Sequence, residues 1–173
     1  MTTLNVHFNP NFITQSLALF EFIKTNIQWD ERMRARKTAS FGVPYNYSQI
    51  DYPIEPMPDY LNLIAQKIES ELGFLPNNCL LNYYPDGQSS MGFHSDSSVE
   101  LELGTGVAIL SLGSNRPIVY QYKVDRSIEY IIDLPSGSLL YMSKAIQDDW
   151  VHAIPKQGNV GERISVTFRK IKA

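Results

Sequence analysis

The chain has 173 residues with a formal net charge of −3 and a pI near 5.6; 43% of residues are hydrophobic and 19% charged. This is enough for one compact domain with a sizeable core, and its ordinary composition argues against disorder. The acidic balance gives no global footprint for nucleic acid, the single cysteine, Cys79, excludes an internal disulfide or a multi-cysteine zinc site, and no apolar run approaches the ~20 residues of a membrane span.

The opening MTTLNVHFNP lacks a basic segment followed by an apolar one, so the expectation is a soluble, cytoplasmic protein, acting as a monomer. His7 falls in a probable N-terminal strand or arm and reads as structural or solvated. Ile13, Leu17, Phe20, Ile23 and Ile27 recur at helical spacing, as do Leu61, Ile64, Ala65, Ile68 and Leu72, after which Gly73 is a plausible stop. Between these helices, Val43 to Pro58 carries four of the ten prolines and reads as a surface loop.

From Cys79 onward the period falls to two. The runs CLLNYY, GVAILSLG, PIVYQYKV, SIEYIIDL, GSLLYMS, DWVHAIP and RISVTFRKI are separated by turns such as PDG, GSN and PSG. Helices followed by strands, with no helix between the later strands, predict a mainly β (α+β) fold: an antiparallel sandwich, barrel or jelly roll with both helices on one outer face. The division is about 1–75 for the helical part and about 76–173 for the β core, within one domain.

Three patterns carry chemistry. In MGFHSDSS, His94 and Asp96 share a side of an extended strand, a spacing that serves a metal ion or simply a polar strand end. His152, in DWVHAIP, supplies a third donor; two histidines and a carboxylate make the facial triad of non-haem Fe(II) oxygenases, and zinc and manganese also suit the set. In RISVTFR, Arg163, Ser165, Thr167 and Arg169 alternate with Ile164, Val166 and Phe168. If the polar face looks into a barrel, its guanidinium groups need anions; their Cα atoms lie roughly 20 Å apart on an extended strand, and inclined side chains narrow that gap to suit a small dicarboxylate. Asn82 and Tyr84 of NYYPDG share a face and offer an amide and a phenol.

Taken in order, N-x-Y, H-x-D, the distal histidine and R-x5-R resemble the AlkB family of Fe(II)- and 2-oxoglutarate-dependent dioxygenases, from about Trp29 to Ile171. The resemblance implies a double-stranded β-helix (jelly roll) core, iron on His94, Asp96 and His152, and 2-oxoglutarate held by Asn82, Tyr84, Arg163, Ser165, Thr167 and Arg169. With oxygen as second co-substrate, such an enzyme hydroxylates a C–H bond while 2-oxoglutarate becomes succinate and CO₂; a hydroxylated N-methyl group then leaves as formaldehyde.

The substrate signal lies in RMRARKTASFGVPYNYS, where Arg32, Arg34, Arg36 and Lys37 precede Phe41, Tyr45 and Tyr47. Basic residues beside aromatics suit a single-stranded or flipped base, and equally a solvated turn with core tyrosines. The segment also resembles the nucleotide-recognition lid of the repair enzymes, which implies alkylated DNA or RNA as substrate and Tyr45 and Tyr47 as the clamp, with Arg36, Phe41 and Ser98 at the substrate. Repair members commonly carry an acidic residue where this chain has Ser98, and asparagine where it has Ser165; Glu100 or Glu102 is placed to substitute for the missing acid if the loop is shifted. A hydroxylase of a protein side chain or small metabolite uses the same triad, and a non-catalytic jelly-roll module would dispense with it.

Overall fold

A computed structural model describes residues 2–45 and 51–173. In chain order the elements are β1 (His7–Asn9), α1 (Ser16–Asn26), β2 (Lys37–Gly42), α2 (Asp59–Leu72), β3 (Asn78–Tyr84), β4 (Met91–His94), β5 (Val107–Gly113), β6 (Arg116–Tyr122), β7 (Glu129–Leu134), β8 (Leu139–Met142), α3 (Lys144–Asp149), β9 (Trp150–Ile154) and β10 (Arg163–Arg169).

The strands form two antiparallel sheets, ordered β1-β8-β5-β10-β3-β2 and β4-β9-β6-β7. From β3 to β10 successive strands switch sheets, as in a jelly roll, except β6 and β7, which pair within the small sheet. β1 and β2 extend the large sheet at its two ends, so the β core draws strands from ahead of residue 76 as well as after it.

Alternation along the large sheet builds two cores. Cys79, Leu81 and Tyr83 of β3, Ala108, Leu110 and Leu112 of β5, and Ile164, Val166 and Phe168 of β10 form one face, covered by Phe20 and Ile23 of α1 and Leu61, Ile64, Ala65 and Ile68 of α2. This is the single outer helical face expected from the sequence. Between the sheets, Tyr84, Val107, Leu140 and Met142 meet Ile118, Tyr120, Leu134, Trp150 and Ile154.

The two helices differ in how closely the sequence outlined them. α2 stops where expected: Gly73 adopts φ +86° and its N–H bonds the Glu69 carbonyl at 2.9 Å. α1 begins only at Ser16, so Ile13 precedes it, and Leu17 is exposed. Ser16 holds the inner position instead, its hydroxyl accepting from Ser136 at 2.8 Å. The inner row is therefore Ser16, Phe20, Ile23 and Ile27. α3 was not anticipated, because six residues are too short to display a helical period.

Phe168 is fully buried in the outer core. Truncating it (Phe168→Ala) is expected to destabilise the protein by about 3–5 kcal/mol through lost transfer energy and the cavity left behind; the midpoint of urea unfolding is the measurement, and an unchanged midpoint would contradict this packing.

Candidate metal and co-substrate centre

Chain order separates His94 from His152, but the ladder of the small sheet sets them directly opposite each other on β4 and β9. Their ring centroids are 4.4 Å apart. Asp96 lies two residues past the end of β4, outside regular strand, yet its Oδ1 is 3.3 Å from His94 Nε2. Strand alternation therefore does not produce the His-Asp pair; a turn does. Its anchors are Asp96 N–H donating to Gln147 Oε1 at 2.8 Å and Ser95 Oγ donating to the Trp150 carbonyl at 2.7 Å. One donor atom from each of His94, Asp96 and His152 fits within a mutual distance of 4.8 Å.

Protonation suits ligation. His94 Nδ1–H donates to the Gly92 carbonyl at 2.7 Å, which orients the ring and leaves Nε2, on the Asp96 side, as the nitrogen available to a metal. Burial pushes the His94 pKa down, but the bond and charge of Asp96 outweigh it and raise it overall. Burial pulls His152 down to about 4, more than the charge of Asp96 recovers, so its ring is neutral at pH 7. Burial likewise opposes the ionised form of Asp96, yet the Arg169 guanidinium and the His94 bond hold its carboxyl well below the usual carboxylate range. Arg169 Nη2 reaches Asp96 Oδ2 at 3.1 Å, leaving Oδ1 turned to the histidines. Two imidazole nitrogens and one carboxylate oxygen on one side of a point, with space opposite, fit a mononuclear non-haem iron, whose binding would displace the proton that Asp96 favours on His94.

The space opposite is a narrow cleft between the sheets, lined by the triad together with Asn82, Tyr84, Arg163, Ser165, Thr167 and Arg169. Arg163 is completely buried. Its Nη2 donates to Ser111 Oγ at 3.0 Å, while Nε and Nη1 have no partner among the described residues. Burial pushes its pKa down, and no carboxylate near it offsets this. A buried cation without a counter-ion costs several kcal/mol, so this end of the cleft is built for an anion. Arg169, at the metal end, also keeps Nε and Nη1 unpartnered. A molecule carrying carboxylates at both ends fits the donors that protrude here.

The candidate substrate residues are dispersed. Tyr45 is buried, its ring centroid 4.0 Å from the Arg169 guanidinium and its hydroxyl 3.4 Å from the Ser97 carbonyl. It covers the metal end of the cleft. Arg36 is also buried; Nε donates to Asn82 Oδ1 at 2.8 Å and Nη1 to the Ser90 carbonyl at 3.2 Å, so it orients Asn82. Phe41 pairs with Cys79 across β2 and β3 and shares its helix-covered face, away from the triad. Ser98 lines a separate depression with Val99 and Leu101, whereas Ser97 stands at the mouth. Tyr47 lies outside the described residues. In the basic cluster Arg32 pairs with Asp30 and Lys37 with Glu31, and Arg34 is exposed with no ion pair among the described residues.

Three groups escaped the sequence. Gln147 sits on the short α3, and the Gly92 carbonyl acts through its backbone, so neither shows a side-chain pattern. Phe93, directly before a ligand and exposed at the mouth, was legible only as a strand residue.

An iron-type triad inside a double-stranded β-helix, with an anion-seeking end to its cleft, defines the class. A family model described as the 2OG-Fe(II) oxygenase superfamily matches residues 9–169, and the chain belongs to that superfamily. It is 32% identical over 147 residues to DNA oxidative demethylase ALKBH2 of Bos taurus, covering 79% of this chain and 53% of that protein. It is 31% identical over 186 aligned positions to Alpha-ketoglutarate-dependent dioxygenase alkB homolog 3 of Rattus norvegicus, covering 94% of this chain and 62% of that protein. The chain thus spans between half and two thirds of the length of these relatives. The solved structure of OsALKBH1 superposes with a TM-score of 0.74 at 16% identity, over 98% of this chain and 100% of that one, a likeness of fold. Among the described residues no helix is long and apolar enough to cross a membrane.

Replacing the ligand carboxylate (Asp96→Asn) should abolish Co(II) binding followed by visible absorption. Gln147→Ala, which removes only the acceptor for the Asp96 backbone, should weaken it roughly 10- to 100-fold. Equal affinity in all three proteins would remove the triad from consideration.

Proposed function

We propose that the protein is a cytoplasmic, monomeric Fe(II)- and 2-oxoglutarate-dependent dealkylase of alkylated bases in DNA or RNA. The observation that carries the reading is a cleft joining the triad to a fully buried arginine that has no counter-ion among the described residues. Supporting the substrate are the relatives named for demethylation of DNA and the segment carrying Arg36 and Tyr45, both of which line the mouth.

His94, Asp96 and His152 hold the iron; Arg163, with Tyr84 and Ser111, receives the far carboxylate of 2-oxoglutarate, and Asn82, Ser165, Thr167 and Arg169 position the rest. When bound, iron with 2-oxoglutarate and oxygen supplies the oxidation, which gives succinate, CO₂ and an N-hydroxyalkyl base that sheds an aldehyde. The protein aligns the two partners and excludes water. Tyr45 keeps Arg169 and the Asp96 carboxylate covered, and the tie from Arg36 fixes the Asn82 amide. Phe93, exposed at the mouth next to His94, is the aromatic proposed to hold the base, and the family resemblance adds Tyr47 as its partner in the clamp.

Ser97, which lines the mouth, donates through Oγ to Glu100 Oε2 at 2.8 Å, so a carboxylate stands one side chain away although Ser98 is neutral. Glu102 is occupied elsewhere, paired with Lys170 at 2.8 Å. The negative group beside the base is therefore Glu100, and cationic bases such as 1-methyladenine and 3-methylcytosine are favoured over neutral etheno adducts.

A second reading, hydroxylation of a protein side chain or small metabolite, draws on the ion pairs that already neutralise Arg32 and Lys37. Protein supplied with Fe(II), 2-oxoglutarate and oxygen should release formaldehyde from methylated DNA or RNA oligonucleotides; silence across the whole panel would favour the second reading. In the same assay Glu100→Gln is expected to slow turnover of the cationic bases by roughly threefold to fivefold, the effect of ~1 kcal/mol for an exposed charge, and to spare the etheno adducts.

A further inference from the structure

Against Tyr84, which lines the cleft, lies a second buried cation, Arg116, that is not itself part of the lining. β5 ends at Gly113, opposite Arg163, and after Ser114 and Asn115 the chain enters the other sheet with Arg116, the first residue of β6. The crossover delivers both arginines to one end of the barrel. Arg116 is fully buried, and its Cζ lies 5.7 Å from the centroid of the Tyr84 ring, where that of Arg163 lies 5.1 Å away.

Arg116 donates only to backbone carbonyls: Nη1 to Asp86 at 3.4 Å, and Nη2 to Ser89 at 2.9 Å and Pro155 at 2.6 Å. Carbonyl dipoles solvate a cation without neutralising it. Among the described residues neither Arg116 nor Arg163 forms an ion pair, and the charge of Arg116 makes that of Arg163 less favourable; the carboxylate acting on Arg116 is the exposed Asp86. A purely mechanical brace would not need this charge. The segments that Arg116 bridges are already locked by Gln157 N–H donating to the Gly87 carbonyl at 2.9 Å, in a contact so close that a Cβ on Gly87 would lie 1.6 Å from the Gln157 carbonyl oxygen.

We propose that Arg116 is a selectivity residue: a second buried cation at the Tyr84 end of the cleft, which makes the site demand a far carboxylate on its 2-oxo acid without touching that carboxylate. The proposal rests on the reading that the cleft holds 2-oxoglutarate with that group at Arg163. In a medium of low effective dielectric, a charge one side chain further away still contributes substantially to the binding of an anion. Arg163 supplies the contact and Arg116 part of the field.

Calorimetric titration of the Mn(II)-loaded protein with 2-oxoglutarate and with 2-oxovalerate, which has the same carbon chain and lacks the far carboxylate, separates the contributions. Wild type should prefer 2-oxoglutarate. Arg116→Gln should weaken 2-oxoglutarate by about tenfold and leave 2-oxovalerate unchanged, while Arg116→Lys, which keeps the charge, should preserve the wild-type ratio. A Gln variant that retains the ratio, or weakens both acids alike, would overturn the role of Arg116. A wild type that fails to discriminate would instead overturn the co-substrate reading beneath it. Should the Gln variant not fold, Arg116→Lys must still hold the ratio and Asp86→Asn, by removing a competing negative charge, must raise it roughly twofold; failure of either overturns the proposal.

Discussion

The structure depends on β10, a strand with partners on both edges and side chains buried on both faces. It pairs with β3 along one edge and β5 along the other, and all seven of its residues are buried. Such a strand is normally apolar on both sides. This one is apolar only toward the helices, where Ile164, Val166 and Phe168 complete the outer core, and it turns Arg163 and Arg169 inward. The outer face contributes stability, and the inner face draws on it to keep two guanidinium groups out of water.

The remainder of the centre answers those two charges differently. Arg169 receives an internal counter-ion, Asp96, and an aromatic cover, Tyr45. In doing so it keeps the ligand carboxylate ionised and holds one of its oxygens, so the metal site and the arginine settle each other's electrostatics. Arg163 receives only a hydroxyl and a ring, with a like charge nearby. The asymmetry gives the cleft a direction: a balanced end beside the triad and an unbalanced end that only an incoming anion can balance.

How much of this could be read beforehand follows from where the information resides. The alternation of β10 and the apolar rows of α2 are local and periodic, so the strand, its helical cover and the common face of the two arginines were visible in the chain, whereas alternation alone left open whether that face met water or a barrel. The proximity of His94 and Asp96 was also visible, although for the wrong reason, since a turn held by Gln147 and Ser95 performs what strand alternation had been expected to do. The substrate residues were hardest. Arg36, Phe41 and Tyr45 have the right composition for a nucleotide lid, but burial and pairing are non-local: Arg36 turns to Asn82, Phe41 to the helices and Tyr45 to Arg169. Arg116 was hidden within a turn-like GSNRP, and only the crossover between sheets reveals its company.

The missing counter-ion at Arg163 reaches beyond catalysis. A ligand that binds only the folded chain adds RT ln(1 + [L]/Kd) to its stability, about 2.7 kcal/mol at a hundredfold excess over Kd. Because the empty protein bears an uncompensated buried charge, the anion that completes the cleft also completes the fold. Binding and folding are in this way linked through a single guanidinium on β10.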